Sequence, residues 1–263
     1  MSIELRDLHK AFGPKKILRG LSLGVEEGET VSLVGFSGAG KSVTLKHING
    51  LLRPDRGTVF VDGLEVPKLE RDKLYALRLN IGYVFQFAAL FDSMTVDENI
   101  RMGLVKKGGL SEQEMHDRVA QSLALVDLSG FENRFPAELS GGQRKRAGLA
   151  RAIAYRPKYL LYDEPTSGLD PVTTTVIDRL IMRMKEELGV TSLVITHDMK
   201  SAYAISDRIA MLYEGRVVEV GTPDEIRNSG NDVVRGFVEG RADLKHDAET
   251  PLPDNGGPHG RKP

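Results

Sequence analysis

Residues 35–42 read Gly-Phe-Ser-Gly-Ala-Gly-Lys-Ser, and they are the strongest indication of the fold class. It fits the pattern G-x-x-x-x-G-K-[ST], in which glycines allow the backbone to wrap closely around a polyphosphate. The run at 30–34 before it predicts a β-strand, and residues 42–48 after it predict a helix. A strand, a glycine-rich loop and a helix in this order are the context that the pattern requires. The sequence therefore predicts an α/β fold with a phosphate-binding loop.

The side chains of this loop suit the triphosphate of a nucleotide. Successive backbone N–H groups and the positive end of the following helix would point at the phosphates. Lys41 would reach the β- and γ-phosphates, and the Ser42 hydroxyl would bind Mg²⁺. The alternative, an ordinary glycine-rich turn that opens a helix, is disfavoured by the flanking strand and helix. The predicted ATP-binding residues of the loop are Gly35, Phe36, Ser37, Gly38, Ala39, Gly40, Lys41, Ser42 and Val43.

A second motif lies at 158–164, which reads Lys-Tyr-Leu-Leu-Tyr-Asp-Glu. The bulky run Tyr159–Tyr162 is typical of a buried parallel strand, and it brings Asp163 and Glu164 to the edge where α/β sheets bind ligands. We expect Asp163 to hold Mg²⁺ and Glu164 to orient or deprotonate the attacking water. Two acids at a strand end are by themselves usually solvated. The phosphate loop upstream favours the functional interpretation.

Residues 139–143, Leu-Ser-Gly-Gly-Gln, lie between these motifs, at the start of a predicted helix. Exposed backbone donors at a helix start form an anion site of the same kind as the phosphate loop. A flexible helix cap is the alternative. With the phosphate loop before it and Tyr-Leu-Leu-Tyr-Asp-Glu-Pro-Thr-Ser-Gly-Leu-Asp-Pro after it, the chain resembles the ATP-binding cassette family, the ATPase subunits of ABC transporters. The resemblance covers roughly residues 3–240.

This resemblance implies an ATPase that works as a homodimer. In the family, two cassettes enclose two ATP molecules head to tail. Each ATP contacts the phosphate loop of one subunit and the signature loop of the other, which corresponds to residues 139–143 of this chain. The residues that would contact the partner's ATP are Ser140, Gly141, Gly142, Gln143 and Asp170. The implied cofactors are ATP and Mg²⁺, with Ser42, Gln86 and Asp163 as the metal ligands.

Further positions match the family one by one. Gln86, after a predicted strand, matches a glutamine that contacts Mg²⁺ and the water and senses the membrane partner. His197 matches a histidine that contacts the γ-phosphate and holds Glu164 and the water in line, although a lone strand-end histidine is more often structural. Phe12 matches the aromatic that stacks on adenine, but an aromatic here could equally belong to the core. Val43 replaces a hydroxyl residue of many cassettes, so we expect weakened rather than lost nucleotide affinity.

The order of the patterns predicts the architecture. We expect an α/β fold of the P-loop NTPase (RecA-like) type, an ABC ATPase core with an N-terminal antiparallel β-subdomain and an inserted helical subdomain. The ATP-binding domain is predicted at 1–240, with the helical subdomain at about 87–157. The polar segment 241–263 is predicted to be a disordered tail, which either solubilises the protein or docks on a partner.

Two helices and one surface can be predicted in more detail. Apolar residues spaced by four, four and three predict a buried helix face at Met115, Val119, Leu123 and Val126. Pro171 and Gly189 are typical boundary residues of a helix. The basic residues beside the signature loop are predicted to form a solvated, helix-stabilising face and not a nucleic-acid patch: Arg144, Lys145, Arg146 and Arg151.

Composition narrows the class of protein. The 36 basic and 37 acidic residues leave no global field for nucleic acid. The count of zero cysteines excludes disulfides and thiolate metal sites. No apolar run approaches the roughly 20 residues of a bilayer span, and the N-terminus lacks the apolar stretch of a signal peptide. We therefore expect a soluble protein, peripheral on the cytoplasmic face of the inner membrane, whose transport pathway belongs to a partner permease.

The segment after Gln86 bears on that partner. In the family this stretch lines the groove that receives the permease's coupling helix, and residues 87–91, Phe-Ala-Ala-Leu-Phe, suit such a contact. Filling the joint between the two lobes is an equally good interpretation. Residues 87–100 and 41–52 resemble the cassettes of MCE-associated, Mla-type lipid transporters.

The finer resemblance implies phospholipid transport between envelope membranes. Its implied partners are an integral-membrane permease, a periplasmic MCE lipid-binding protein and a small STAS-like subunit. One alternative is the ATPase of a polar amino-acid or other solute importer, which would have a solute-binding protein instead. Another is a soluble cassette that acts on DNA or ribosomes, disfavoured by the single cassette and the lack of a basic surplus.

Overall fold

The computed structural model describes residues 2–241, which form two β-sheets with helices packed against them. The predicted tail lies outside the described residues from position 242 onward. The strands are β1 (Ile3–Phe12), β2 (Lys15–Val25), β3 (Thr30–Val34), β4 (Arg56–Val61), β5 (Leu64–Glu65), β6 (Ile81–Val84), β7 (Tyr159–Asp163), β8 (Thr191–Thr196), β9 (Arg208–Tyr213) and β10 (Arg216–Gly221). The helices are α1 (Lys41–Ile48), α2 (Arg71–Arg78), α3 (Val96–Lys107), α4 (Glu112–Leu125), α5 (Gly141–Ile153), α6 (Pro171–Leu188), α7 (Met199–Ile205), α8 (Pro223–Arg227) and α9 (Asp232–Val238). Among the described residues, no helix combines the length and the apolar character that a bilayer crossing needs.

The N-terminal sheet is antiparallel and has the strand order β2-β1-β4-β5. Its strand β1 pairs with β2 on one side and with β4 on the other. Ile3, Leu5 and Leu8 of β1 are buried, so one face of this sheet packs into the core. The predicted N-terminal antiparallel β-subdomain is therefore present.

The larger sheet has the strand order β10-β9-β3-β8-β7-β6. Its strands run parallel except for β10, which is antiparallel to β9. The central strands β3 and β8 are buried along their whole length, as is typical of parallel strands covered on both faces. Parallel strands end at the same edge, so β3, β6, β7 and β8 bring the predicted site residues together there.

The helices α3, α4 and α5 follow β6 in the chain and pack against one another. All four apolar positions that predict α4 or its end are buried, so that prediction is confirmed: Met115, Val119, Leu123 and Val126. Helix α6 begins at Pro171 and ends before Gly189, as predicted. Residues 87–95 are turns and irregular chain, and the limits of a helical subdomain at 87 and 157 stay a prediction.

A buried amide organises the irregular chain before α3. The Asn99 side-chain amide donates to the carbonyls of Phe91, Met94 and Thr95 at 3.1, 3.1 and 2.9 Å. Its oxygen accepts a hydrogen bond from the Phe91 N–H at 2.8 Å. Asn99 is fully buried, so these bonds are shielded from water and hold the segment against α3.

Of the four basic residues of α5, Arg144 is exposed, as predicted, whereas Lys145 is buried and Arg146 and Arg151 are partly buried, so the predicted solvated face is wrong for those three. Each of them donates to a backbone carbonyl outside α5. Arg146, for example, binds the carbonyls of Val126 and Asp127 at 3.1 and 2.9 Å. Their long apolar stems lie along the packed surface and bring the charge to carbonyls that secondary structure leaves unpaired. These residues therefore join α5 to its neighbours.

One carboxyl group lies buried between α6 and α7. Asp178 accepts a hydrogen bond from the Ser201 hydroxyl at 2.9 Å, and its Oδ1 has no hydrogen-bond partner among residues 2–241. Burial, assisted by the charge of Asp198 and partly opposed by Ser201, raises the pKa of Asp178 to about 6 from an ordinary value of 3.8. The folded protein therefore binds this proton more tightly than the unfolded chain does.

We expect Asp178 to make the folded state less stable as the pH rises from about 4 to about 6. An acid whose pKa is higher in the folded than in the unfolded protein stabilises the fold at pH values below its unfolded pKa. That contribution is lost as the pH rises through the folded pKa. Asp178→Asn removes the titration and should stabilise the protein at neutral pH by about 1–3 kcal/mol relative to the parent. Urea unfolding of both proteins at several pH values between about 4 and 7 measures the difference.

The matched control is Asp92→Asn, because Asp92 is exposed and lies in a turn outside the helices and strands. This control should leave the pH dependence of the unfolding free energy unchanged. A stability difference between Asp178→Asn and the parent that is the same across the whole pH range would contradict the raised pKa of Asp178.

Candidate functional site

Glycines give the loop between β3 and α1 its shape. Gly38 and Gly40 have φ angles of 78° and 109°, a region that disfavours residues with a Cβ. A Cβ on Gly40 would also lie 2.8 Å from Leu18 Cδ2. Gly40 is therefore needed both for the backbone conformation and for the close packing of the loop against β2.

Helix α1 begins without a side-chain cap. Gly40 occupies its N-cap position, and its first turn contains no acidic residue. The first N–H groups of a helix need partners from outside the helix, and a phosphate is the kind of group that supplies them. This arrangement fits the nucleotide phosphates that the sequence predicts at the loop.

Lys41 holds the loop in shape from the inside. Its Nζ donates to the carbonyls of Gly35 and Phe36 at 2.8 and 3.3 Å. It also lies 3.6 Å from Glu164 Oε1. Burial lowers the pKa of Lys41, and the charge of Glu164 opposes this shift. An anion bound at the loop would further offset the cost of burying this cation, because it would add negative charge to that of Glu164.

Asp163 is held at the end of β7 by two hydroxyl groups. The Ser42 hydroxyl donates to Asp163 Oδ1 at 2.8 Å, and the Tyr83 hydroxyl donates to Asp163 Oδ2 at 3.0 Å. Burial and the charge of Asp163 raise the pKa of Tyr83, so the phenol stays protonated and remains a donor. Sequence reasoning missed Tyr83, whose only signal was its place on β6, the strand that pairs with β7.

Glu164 and His197 form a hydrogen-bonded pair. His197 Nδ1 lies 2.7 Å from Glu164 Oε2, and the Glu164 N–H donates to the Ile195 carbonyl of β8 at 3.0 Å. The Glu164 carboxylate thus lies between the Lys41 ammonium and the His197 ring. Glu164 has a φ of 50°, an unusual conformation for a residue other than glycine. Such backbone conformations persist where the surrounding structure fixes them, often at functional sites.

One cavity of about 500 Å³ brings most of the predicted residues together. Its lining includes Phe12, Ser37, Gly38, Gly40, Lys41, Ser42, Val43, Gln86, Glu164 and His197. Lys15 and Ile17 also line it, and sequence reasoning missed both. Their signal was the β1–β2 hairpin, in which Lys15 pairs with Phe12. Phe12 is 48% exposed, so its side chain is accessible to a flat ligand.

The residues predicted to contact a partner's ATP have structural roles within their own chain. Ser140 caps α5, with its hydroxyl accepting from the Gln143 N–H and the Gln143 side chain accepting from the Ser140 N–H. Asp170 caps α6 through the N–H groups of Val172 and Thr173. Neither these caps nor the glycines that follow Ser140 line the cavity of their own chain. Their predicted role in trans stays a prediction.

The fold and this cavity define a P-loop ATPase, with a mostly parallel sheet, a glycine-rich loop that opens a helix, and two acids at a neighbouring strand end. The chain belongs to the ABC transporter family, because the family model described as "ABC transporter" matches residues 18–167. It is therefore an ATP-binding subunit of a transporter, and membership in the family implies ATP hydrolysis coupled to transport.

Several curated relatives of the chain have names that point to different cargoes. It is 43% identical over 257 residues to Protein TRIGALACTOSYLDIACYLGLYCEROL 3, chloroplastic, of Arabidopsis thaliana, with 92% of the chain and 74% of the relative covered. It is 42% identical over 241 residues to Probable ribonucleotide transport ATP-binding protein mkl of Mycobacterium tuberculosis, with 92% and 67% covered. It is 44% identical over 224 residues to Methionine import ATP-binding protein MetN of Carboxydothermus hydrogenoformans, with 85% and 66% covered.

Solved structures support the same family. A dimeric ATP-binding cassette in a post-hydrolysis state, bound to ADP and Pi, has a TM-score of 0.77 and 35% identity, with 84% of this chain and 98% of that chain covered. The cbiO1 protein of Clostridium perfringens, part of the ABC transporter complex cbiONQ, has a TM-score of 0.80 and 30% identity, with 92% and 96% covered. The predicted fold, an ABC ATPase core with its β-subdomain and inserted helices, is confirmed.

We expect the backbone conformation of Glu164 to reverse the usual ranking of glycine and alanine. Glu164→Gly and Glu164→Ala both lose the bond to His197, but only glycine adopts a φ of 50° without strain. The glycine variant should therefore be as stable as the alanine variant or more stable, with a free energy of unfolding up to about 1 kcal/mol higher. Urea unfolding of the two variants gives the comparison.

The control site is Glu186, an exposed residue inside α6. There the ordinary ranking should hold, with Glu186→Gly about 1 kcal/mol less stable than Glu186→Ala. If glycine is as unfavourable at Glu164 as at Glu186, the left-handed backbone of Glu164 does not strain the fold.

Proposed function

We propose that this chain hydrolyses Mg·ATP at the edge of the larger sheet, as one of two identical subunits that drive a membrane permease. The observation that carries this proposal is the Glu164 carboxylate, held between Lys41 and His197 in the cavity beside the phosphate loop. A carboxylate in this place can accept a proton from water next to a bound terminal phosphate.

In the proposed site the nucleotide lies along the cavity from Phe12 to Glu164. Phe12 stacks on adenine, and the backbone of residues 35–43 surrounds the phosphates. The exposed Phe12 ring and the uncapped start of α1 support these two roles. Lys41 already points into the loop, so it binds the β- and γ-phosphates with little change of conformation.

Three side chains would hold Mg²⁺: Ser42, Asp163 and Gln86. Hydroxyl, carboxylate and amide oxygens are the hard ligands that this ion prefers. The 2.8 Å bond between the Ser42 hydroxyl and Asp163 Oδ1 supports the assignment, because it places two of these oxygens side by side. When bound, Mg²⁺ would neutralise charge that develops on the phosphates during transfer.

Glu164 and His197 would carry the hydrolytic step. Glu164 orients the attacking water and takes its proton while the water oxygen bonds to the γ-phosphorus. The bond from that phosphorus to the oxygen that bridges it to the β-phosphate breaks, and ADP and phosphate are released. His197 holds Glu164 through Nδ1–H, and its other ring nitrogen would donate to the γ-phosphate when the ring carries a second proton. The positive charge of Lys41 stabilises the phosphate oxygens during the same step.

A second copy of the chain would complete each site. Ser140, Gly141, Gly142 and Gln143 at the start of α5, together with Asp170, would face the ATP of the other subunit. A helix start is a favourable place for the γ-phosphate, because its first N–H groups point outward. The absence of these residues from the cavity of their own chain and the dimeric solved relative support this arrangement.

We expect Glu164→Gln to keep ATP binding and to lower turnover by about 10²- to 10⁴-fold, the usual scale for removing a positioned acid–base group. Because hydrolysis is blocked, the ATP-bridged dimer should accumulate in this variant. Phosphate release measures turnover, and light scattering with and without Mg·ATP measures dimerisation.

Glu186→Gln, which changes an exposed glutamate of α6, is the control and should behave as the parent does. Unchanged turnover in Glu164→Gln would refute the role given to Glu164. A variant that stays monomeric at saturating Mg·ATP, even with its permease present, would refute the shared site.

The segment 87–91 supports a contact with a membrane permease. Phe87 and Phe91 are 85% and 51% exposed, while Ala88 is buried and Leu90 packs against the core. The burial of Ala88 and the packing of Leu90 support the interpretation that this segment packs within the fold, and the outward-facing phenylalanines support a partner contact. Exposed phenylalanines in an ordered segment suit an apolar partner helix. We place the subunit on the cytoplasmic face of the inner membrane, bound there through its permease.

For the cargo we propose phospholipid, in a transporter of the MCE or Mla type. The Arabidopsis relative, named after a diacylglycerol lipid, supports this proposal. The further partners would be a periplasmic MCE lipid-binding protein and a small STAS-like subunit. The relative named for methionine import, at 44% identity, favours a second candidate, the ATPase of an amino-acid importer.

Affinity purification of the chain from native membranes in mild detergent separates these candidates. Mass spectrometry would identify both the proteins and the lipids retained. A permease with an MCE protein and bound phospholipid is the expected result. A permease with a solute-binding protein would favour the importer, and the absence of any membrane partner would refute both.

A further inference from the structure

The helix that follows the signature loop holds the chain after β6 at three points. Lys145, Gly148 and Arg151 are spaced by three residues and therefore lie on one face of α5. Arg151 donates to the carbonyls of Ala88 and Ala89 at 3.0 and 2.6 Å. A Cβ on Gly148 would lie 3.1 Å from the Ala88 Cβ, so the glycine permits close contact between the two segments.

Lys145 extends this contact to two residues of the predicted hydrolytic site. Its Nζ donates to the Gln86 carbonyl and lies 3.5 Å from the Glu164 carbonyl. Gln86 and Glu164 belong to segments 78 positions apart in the chain, after β6 and at the end of β7. One ammonium group on α5 therefore connects the two backbone positions that carry these side chains.

The surroundings of Lys145 indicate a specific role for its charge. The residue is 8% exposed, and burial lowers its pKa while the charge of Glu164 opposes the shift. Burying an ammonium group is unfavourable unless hydrogen bonds compensate it. Here the compensating acceptors are the backbone carbonyls of two residues that line the cavity, so the bonds fix backbone positions as well as the lysine.

We propose that Lys145 is a positioning residue. It holds the backbone of Gln86 and Glu164 at fixed positions relative to α5, the signature helix, of the same subunit. The inference rests on the proposed function, in which the start of α5 contacts the ATP of a second copy. Docking of α5 on that ATP would then be transmitted through Lys145 to the subunit's own hydrolytic residues. A subunit would hydrolyse its own ATP only when its α5 also contacts the ATP bound to the other subunit.

Mixed dimers of two differently tagged full-length chains test this directly. In the first dimer, one subunit carries Lys145→Met and the other carries Glu164→Gln, so the only active site belongs to the Lys145→Met subunit. In the second dimer, one subunit carries both substitutions and the other is unchanged, so the active site has an intact Lys145 but faces an altered signature helix. Phosphate release is measured for both dimers over a range of ATP concentrations.

We expect the first dimer to turn over about 10- to 100-fold more slowly than a dimer that carries Glu164→Gln alone, with an unchanged KM. This is the scale for a misplaced catalytic group. The second dimer should keep the turnover of a dimer with Glu164→Gln alone. Slow turnover confined to the second dimer, or equal losses in both, would overturn the proposal, because Lys145 would then act on the signature loop or on the fold.

Arg146→Met is the matched control, since Arg146 also binds two carbonyls from α5 but lies away from the cavity. When Arg146→Met takes the place of Lys145→Met in the first dimer, turnover should equal that of a dimer with Glu164→Gln alone. Lys145→Gln, tested in the same two dimers, replaces Lys145→Met if the methionine variant fails to fold. If Glu164→Gln subunits with intact Lys145 form no ATP-dependent dimer, the shared site itself is refuted and the coupling falls with it.

Discussion

The parallel register of the larger sheet is the constraint on which the site depends. Parallel strands all end at one edge, so segments that are far apart in sequence meet there without any direct attraction between them. Val34 of β3 pairs with Thr196 of β8, and Asp163 of β7 pairs with Ile195 of the same strand. These pairings fix the phosphate loop, the acidic pair and His197 within hydrogen-bond reach of one another. A one-residue shift of any strand would turn its terminal side chains to the opposite face.

Much of this arrangement could be predicted from the sequence because its signals are local. The loop at 35–42 needs glycines in a fixed pattern, and α4 has a repeating apolar face, so short windows contain the information. The bonds of Tyr83 and Lys145 could not be predicted this way. Each depends on a contact between distant segments, and an isolated tyrosine or lysine carries no periodic signal. The left-handed conformation of Glu164 was also hidden, because glutamate is not a residue type that favours it.

The basic residues of α5 show how composition can mislead. Four cations within eight positions look like a solvated surface, yet three of them are at least partly buried and each of the four binds a backbone carbonyl. Lysine and arginine have apolar stems long enough to cross a packed surface and place a charge beyond it. Carbonyls are acceptors in every residue, so no sequence pattern marks the partner. The same lack of a local signal explains why residues 87–91 could not be divided between core and surface before their contacts were known.

The amide of Asn99 gives the surface around Phe91 a property that matters for molecular recognition. Because Asn99 fixes the backbone from Phe91 to Thr95 in advance, a helix that docks there meets a rigid receptor. Ordering a flexible segment would consume about 1–2 kcal/mol of conformational entropy per residue. A preformed surface avoids most of that penalty, so even a small apolar contact at Phe91 could be long-lived. In such a contact, a movement of the docked helix would be transmitted directly to α3, because the segment between them is already held in one conformation.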